Sequence, residues 1–324
     1  MTSRKDIRII FMGTPEFAVA SLDKLVSEGY QVVAVVTQPD KPVGRHGSVL
    51  QPSPVKRYAI ERNIPVLQPI KMSDPDFIAQ LKTFNADLQV VVAFRILPEM
   101  VWSMPRLGTF NVHASLLPQY RGAAPINWAI INGETKTGVT TFFLDKNIDT
   151  GKIILNKETA IPADADVETM YDKLMVMGAE LCLKTTNLIV EADGNVATTI
   201  QPHSEILHDA PKLNKTNCRI DWSKTAAEVY NFVRGLCPIP SAWTVLQKSD
   251  LSTTDIKVFK TAVTQQPCNC LPGTILAEGN RMLVATADNW IEITELQPSG
   301  KKRMVASAFM NGLQQKQGLM FLYN

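Results

Sequence analysis

Asn111 and His113 stand two residues apart in an extended run, Asn111 to Pro125 (NVHASLLPQYRGAAP). Side chains in a strand alternate faces, so these two share one. An amide and an imidazole on one face, just ahead of a loop, are how an α/β enzyme presents chemistry at the carboxyl end of a strand. The imidazole can handle a proton near neutrality, and an amide N–H can stabilise a carbonyl oxygen as it gains negative charge. Asp149 sits in an Ile-Asp-Thr-Gly turn on a loop that can fold back over the same edge. A carboxylate there would fix the imidazole tautomer and complete an acid/base pair. Ser115 is the tempting nucleophile, but no nucleophile elbow surrounds it. Ser115, Leu116, Leu117 and Pro118 read instead as a loop that offers backbone donors beside a flat ligand. These features point to acyl transfer without a covalent enzyme intermediate.

The elements that must position these groups follow an α/β pattern. Ile7–Met12 is a short, continuous apolar run, as expected of a strand buried on both faces. Thr14 is then placed to cap a helix, with Pro15 at its first position and Phe17, Leu22, Leu25 and Val26 on its apolar stripe. Gln31–Thr37 and Ala86–Phe94 read as further buried strands, with a helical run near Phe77–Leu81 between them. Strand–helix alternation of this kind predicts a doubly wound, mainly parallel sheet with right-handed crossovers. Gln38–Pro54, with four prolines and two glycines, reads as a long inserted loop. Gly138–Leu144 and Ile153–Leu155 read as a strand pair around the Asn147–Gly151 turn, followed by a long helix over Glu168–Glu191. Gly13-Thr14-Pro15 is no dinucleotide fingerprint, because it has one glycine where three are needed and no acidic residue ends the second strand.

The texture changes near Gln201. A polar connector over His203–Lys212 leads to a helix around Thr225–Arg234. Short strand-like runs follow at Ala242–Gln247, Ile256–Thr261, Gly273–Leu276, Met282–Ala285 and Ile291–Leu296. Such spacing suggests a small barrel of the oligonucleotide-binding type. The expected domains are therefore 1–205 and 206–324. Residues 1–205 carry 20 Lys+Arg against 22 Asp+Glu, and 206–324 carry 13 against 9, within a formal net charge of +2. A mildly basic second domain fits an anionic partner such as nucleic acid, and equally fits random scatter. The five cysteines are unevenly spaced, and the Cys268–Cys270 pair has no second pair or nearby His, so a metal is not expected. Without a signal peptide or an apolar stretch of membrane-spanning length, the chain reads as cytoplasmic and reduced.

The Asn111-x-His113 pair with a later Asp149 in a D-x-G turn resembles the signature of the folate-dependent formyltransferase superfamily. IIFMGTPEFAV, QPDKPVGR, PSPVK and SLLPQYRGAAPI resemble, within it, the family that acts on methionyl initiator tRNA, as do APKL, IDW, VRGLCPIPSAWT and LQPSGKKRM in the tail. The resemblance runs from residue 7 to about 312. It implies a Rossmann-like formyltransferase domain with a mainly parallel sheet, then an OB-like β-barrel domain that contacts tRNA. It implies a catalytic group of Asn111, His113 and Asp149, with 10-formyltetrahydrofolate as formyl donor and no metal. Ser115–Pro118 would border the folate, and Phe94, Ile96 and Leu97 would wall its pterin pocket. Arg45 would reach the tRNA acceptor region, and Lys301, Lys302 and Arg303 are candidate phosphate contacts. A monomer with no obligate protein partner is expected on the same ground.

Two departures stand out. The basic residues expected after Arg45 are replaced by His46-Gly47-Ser48-Val49. Arg95 places a charge near the expected pterin pocket, where it is read as salt-bridged or solvent-facing. The rival activities are formyl transfer to a small amine, hydrolysis of 10-formyltetrahydrofolate, and RNA binding without catalysis.

Overall fold

The computed structural model describes residues 4–43, 49–202, 206–313, 315 and 317–322. Along the chain run β1 (Arg8–Gly13), α1 (Glu16–Ser27), β2 (Gln31–Val36), β3 (Lys41–Val43), β4 (Val49–Gln51), α2 (Pro54–Glu61), β5 (Val66–Leu67), α3 (Pro75–Thr83), β6 (Leu88–Val92) and α4 (Glu99–Trp102). Then come β7 (Thr109–His113), β8 (Arg121–Gly122), α5 (Pro125–Ile131), β9 (Lys136–Phe143), β10 (Ile153–Ala160) and α6 (Val167–Glu191). The remainder is β11 (Asp209–Ala210), α7 (Ala226–Leu236), β12 (Ala242–Gln247), β13 (Thr253–Pro267), β14 (Ile275–Glu278), β15 (Arg281–Ala285), β16 (Asn289–Pro298), β17 (Met304–Val305), α8 (Ala306–Asn311) and β18 (Met320–Leu322). Residues Met1–Gly122, Thr137–Thr159 and Tyr171–Asp209 form one compact unit; Ala123–Lys136, Ala160–Met170 and Ala210–Asn324 form a second.

The first unit is built on a seven-stranded sheet in the order β10-β9-β7-β6-β1-β2-β5. β1 pairs in parallel with both β2 and β6, β2 with β5, and β6 with β7; β7 meets β9 antiparallel. The apolar run of β1 is explained by burial on both faces, with Ile9, Ile10, Phe11 and Met12 all fully buried. The chain leaves β1 toward β2 on one side and returns through β6 and β7 on the other. That reversal is the topological switch point, outside whose carboxyl edge ligands bind in open α/β sheets. β7 ends there with His113.

Two local expectations change. Thr14 does not cap α1: Pro15 takes the N-cap position with extended backbone and no side-chain bond, and the helix starts at Glu16. The Thr14 hydroxyl instead accepts from Thr37 Oγ1 at 3.5 Å. Nor is Gln38–Pro54 loop throughout, since β3 and β4 pair antiparallel from Lys41↔Gln51 to Val43↔Val49. Pairing satisfies backbone groups that a loop would leave to water. The ribbon is anchored at its base, where Asp40 receives Lys56 Nζ at 2.6 Å and Gln68 Nε2 at 2.8 Å. Those two donors, Lys56 foremost, hold the Asp40 carboxyl below its ordinary range. Ser53 caps α2 by accepting from Lys56 N–H at 3.1 Å, with Pro54 at the first helical position.

In the second unit the strands follow the order β14-β15-β16-β13-β12-β18, with β17 on β16. β18 pairs with β12, and its Met320 also bridges Thr274, just before β14. Phe321 N–H donates to Gly273 C=O at 2.8 Å, so the strand circuit closes into the expected small barrel. Its core holds Trp222, fully buried, stacked on Phe321 at 5.2 Å and donating Nε1–H to Thr244 Oγ1 at 3.0 Å. β13 is longer than its apolar alternation suggests. Register shifts near Val258, Lys260 and Val263 let it bend while it stays paired with β16 as far as Pro267↔Asn289.

Candidate active site

All the residues described first lie in the first unit. His113, at the carboxyl end of β7, is 6% exposed, with Phe142 edge-on to its ring. Its Nε2 lies 2.8 Å from the Tyr120 carbonyl oxygen. A carbonyl can only accept, so Nε2 carries the proton and the lone pair of the neutral ring sits on Nδ1. Nδ1 faces Asp149 Oδ2 at 3.8 Å, too far for a hydrogen bond. The tautomer is thus set by the Tyr120 backbone rather than by Asp149, a partner the sequence does not reveal. Asp149 stands as the carboxylate toward which a protonated Nδ1 would donate.

The turn carrying Asp149 is tightly specified. Asp149 itself has φ +54°, a left-handed conformation that Asp tolerates better than most residues. Asp145 Oδ1 accepts from Asn147 N–H at 3.0 Å and from the Thr150 hydroxyl at 2.7 Å. Gly151 passes so close to β9 that a Cβ would fall 1.6 Å from the Phe143 carbonyl oxygen, so only glycine fits. Asp149 Oδ2 accepts from Gly122 N–H at 2.9 Å. Gln201, which the sequence marks only as a change of texture, bonds the backbone of this turn through its side chain.

Asn111 lies in β7 opposite Val91 and Phe142. Its Oδ1 is buried without a hydrogen-bond partner. Buried polar atoms are almost always paired, which makes this orphan unusual.

Ser115 is fully buried and its hydroxyl donates to Gln119 C=O at 2.7 Å, closing the Ser115–Gln119 turn. Leu117 N–H donates to Thr140 Oγ1 at 3.1 Å, so that backbone donor is consumed inside the protein. Leu117 packs with Phe142 and Ile153, and Gly138 leaves the space that Leu116 fills. Along the neighbouring strand end, Leu97 is buried in the core, Phe94 packs against that core half-buried, and Ile96 is 72% exposed. Arg95 is neither salt-bridged nor free in solvent. It donates to the backbone carbonyls of Ile70, at 2.9 Å, and Pro69, and burial pulls its guanidinium below the ordinary range. A local sequence reading cannot see those carbonyls, 25 and 26 residues upstream.

Arg45 lies outside the described residues. In the second unit, Lys301 and Lys302 are exposed on the turn after β16. Arg303 is different: it makes a two-pronged pair with Glu295 at 2.6 and 2.7 Å and lies 4.2 Å from the centre of the Phe259 ring. Beside that turn is a cavity of about 490 Å³ lined by Lys215, Trp243, Asp255, Lys257, Gln297 and Ser299. Trp243, Lys257 and Gln297 form one cross-strand row over β12, β13 and β16. Lys215 Nζ lies 4.8 Å from the Trp243 ring centre. An aromatic side chain interleaved with cations is the composition of nucleic-acid-binding faces.

Among the described residues no group of three or more His, Cys, Asp or Glu is placed to hold a metal ion. No helix among them is long and apolar enough to cross a membrane. Residues 7–186 match the family described as Formyl transferase, and residues 212–314 match Formyl transferase, C-terminal domain. The chain belongs to the formyl transferase family. Within it, the chain is similar to the methionyl-tRNA formyltransferase of Parabacteroides distasonis, at 51% identity over 96% of this chain and 97% of that one. Similarity to the methionyl-tRNA formyltransferase of Azobacteroides pseudotrichonymphae is 53%, again over 96% and 97%. The N-formyltransferase of Helicobacter canadensis, solved with folinic acid and dTDP-3-aminofucose, shares the fold at TM-score 0.63 and 19% identity, over 89% of this chain and 98% of that one.

Proposed function

We propose that this chain transfers the formyl group of 10-formyltetrahydrofolate to the α-amino group of methionyl initiator tRNA. The observation that supports the chemistry is the approach of Asp149 to His113 Nδ1 at the carboxyl edge of the sheet, with Asn111 two residues earlier in the same strand. Similarity along nearly the whole chain to methionyl-tRNA formyltransferases supports the choice of acceptor.

In this reading the methionyl amine attacks the formyl carbon and a new C–N bond forms. His113 Nδ1, whose lone pair the Tyr120 carbonyl has reserved, takes the proton released by the attacking nitrogen. The Asp149 carboxylate, 3.8 Å away, stabilises the imidazolium by its charge. Asn111 Nδ2–H stabilises the oxyanion of the tetrahedral intermediate. That intermediate collapses with cleavage of the bond to N10, and the proton held by His113 passes to N10, leaving tetrahydrofolate. Ser115 stays in its turn and forms no covalent bond. The Ser115–Pro118 loop and the Phe94–Leu97 strand end border the folate.

Residues 206–324 take the tRNA, with Lys301, Lys302 and the neighbouring Trp243 face as contacts, and residues 1–205 perform the chemistry. Arg45 belongs to the same tRNA assignment. A cytoplasmic monomer completes the reading, and light scattering of the purified protein tests the monomer. The deciding experiment follows labelled formyl from 10-formyltetrahydrofolate to charged initiator tRNA, with free methionine, uncharged tRNA and a water-only reaction as controls. Transfer to charged tRNA alone supports the proposal. Transfer to small amines, release as free formate, or tRNA binding without turnover would each replace it with the corresponding rival.

A further inference from the structure

We infer that Gln201 is a positioning residue that holds Asp149 opposite His113 Nδ1, with Arg121 locking the Gln201 amide in the required orientation. The inference rests on the reading of His113 and Asp149 as the proton-handling pair.

Gln201 is 5% exposed, and every polar atom of its side chain is engaged. Its Nε2 donates to the carbonyl oxygens of Asp149, at 2.8 Å, and Gly151, at 2.9 Å. The amide therefore spans the turn from one side of Thr150 to the other. Its Oε1 accepts from Arg121 Nε at 3.1 Å and Nη2 at 2.6 Å. A guanidinium is donor-only, so the atom facing Arg121 must be the oxygen, and the nitrogen must face the two carbonyls. The orientation of the amide is fixed from both ends.

The contacts close on themselves. Arg121 holds Gln201, Gln201 holds the Asp149 backbone, and the Asp149 carboxylate accepts from Gly122, the residue after Arg121. The same two-residue stretch thus fixes Asp149 by its main chain and by its side chain. A left-handed residue such as Asp149 persists where its surroundings over-determine it. The segment carrying Gln201 is itself tied to the sheet, where Thr199 and Ile153 exchange N–H···O=C bonds, each 2.8 Å. The hydrogen bonds of Gln201 go to Arg121 and to the turn and none to His113, so it acts through Asp149.

The test uses the full chain and steady-state formyl transfer to charged initiator tRNA, with thermal melts to confirm folding. Gln201→Glu keeps the volume and the acceptor for Arg121 but removes both donors to the turn. Gln201→Met keeps the shape and removes all four bonds, and decides the matter if the Glu variant does not fold. Asp149→Asn is the reference, alone and combined with each Gln201 variant. The expected result is a kcat lower by roughly 10- to 100-fold, the size of effect a misplaced catalytic group produces, with KM for tRNA and folate little changed. In the Asp149→Asn background the same change should cost less than about 2-fold further, because coupled residues are not additive. Wild-type kcat in a folded Gln201 variant overturns the inference. So does a loss carried by KM, or an undiminished loss in the Asp149→Asn background. If Asp149→Asn alone keeps wild-type kcat, the reading of the proton-handling pair fails, and this inference with it.

Discussion

The carboxyl edge at His113 and the basic turn at Lys301–Arg303 hold polar groups in opposite ways. His113 and Asn111 Oδ1 are buried, and the ring and the neighbouring turn are fixed by the backbone of Tyr120 and Gly122. Lys301 and Lys302 are exposed, and Arg303 is paired with a surface carboxylate. A group that stabilises a transition state must be oriented before the reaction, in a site where no solvent has to reorganise. A group that meets a phosphate needs only charge and reach. The first arrangement tolerates little change in geometry, and the second tolerates little change in charge.

Substitutions break or sharpen that contrast in order of size. His113→Ala and Asn111→Ala should each lower kcat by about 10²–10³ in the formyl-transfer assay, the usual cost of removing such a group. Near-normal turnover at saturating substrates would return both residues to the core. Lys301→Ala with Lys302→Ala should leave kcat alone, raise KM for tRNA and flatten its salt dependence by roughly 0.7–0.9 per lost phosphate contact. An unchanged salt slope would make that turn an ordinary solvated one. Arg303→Ala should differ from the lysine variants. Its guanidinium is already engaged by Glu295, so the main effect should be a stability loss of at most about 1 kcal/mol in urea unfolding. A salt slope that falls as much as in the lysine variants would contradict this. The smallest effect concerns the thiols. Cys270 is exposed while Cys182, Cys218, Cys237 and Cys268 are buried, and burial pushes the Cys182 thiol up to about 12. A thiol reagent at neutral pH should therefore titrate one cysteine quickly in the native protein and five after denaturation. Rapid reaction of a second native thiol would show that burial in one region is looser than described.

Much of this was legible in the residue order. β1, β2 and β6 are apolar runs that only a doubly covered sheet explains, and the period of two placed Asn111 and His113 on one strand. Asp149 reaches His113 because a short turn between neighbouring strands has few places to go. The remainder depends on backbone atoms that carry no sequence signal. The Tyr120 and Pro69 carbonyls that engage His113 and Arg95 would be there whatever the side chains. Gln201 lies just before the polar connector, and nothing in its neighbours singles it out. β18 carries no such signal because three residues are too few to show alternation, although Phe321 fills the space over Trp222.

That short strand has a consequence for how the protein is made. Residues 320–322 leave the ribosome after every strand they join, so the edges at β12 and Thr274 stay unpaired while the rest of the second unit takes shape. Open strand edges are templates for pairing with other chains. Between the synthesis of Thr274 and the arrival of Phe321, the nascent chain carries two adhesive borders, and Met320–Leu322 seal both.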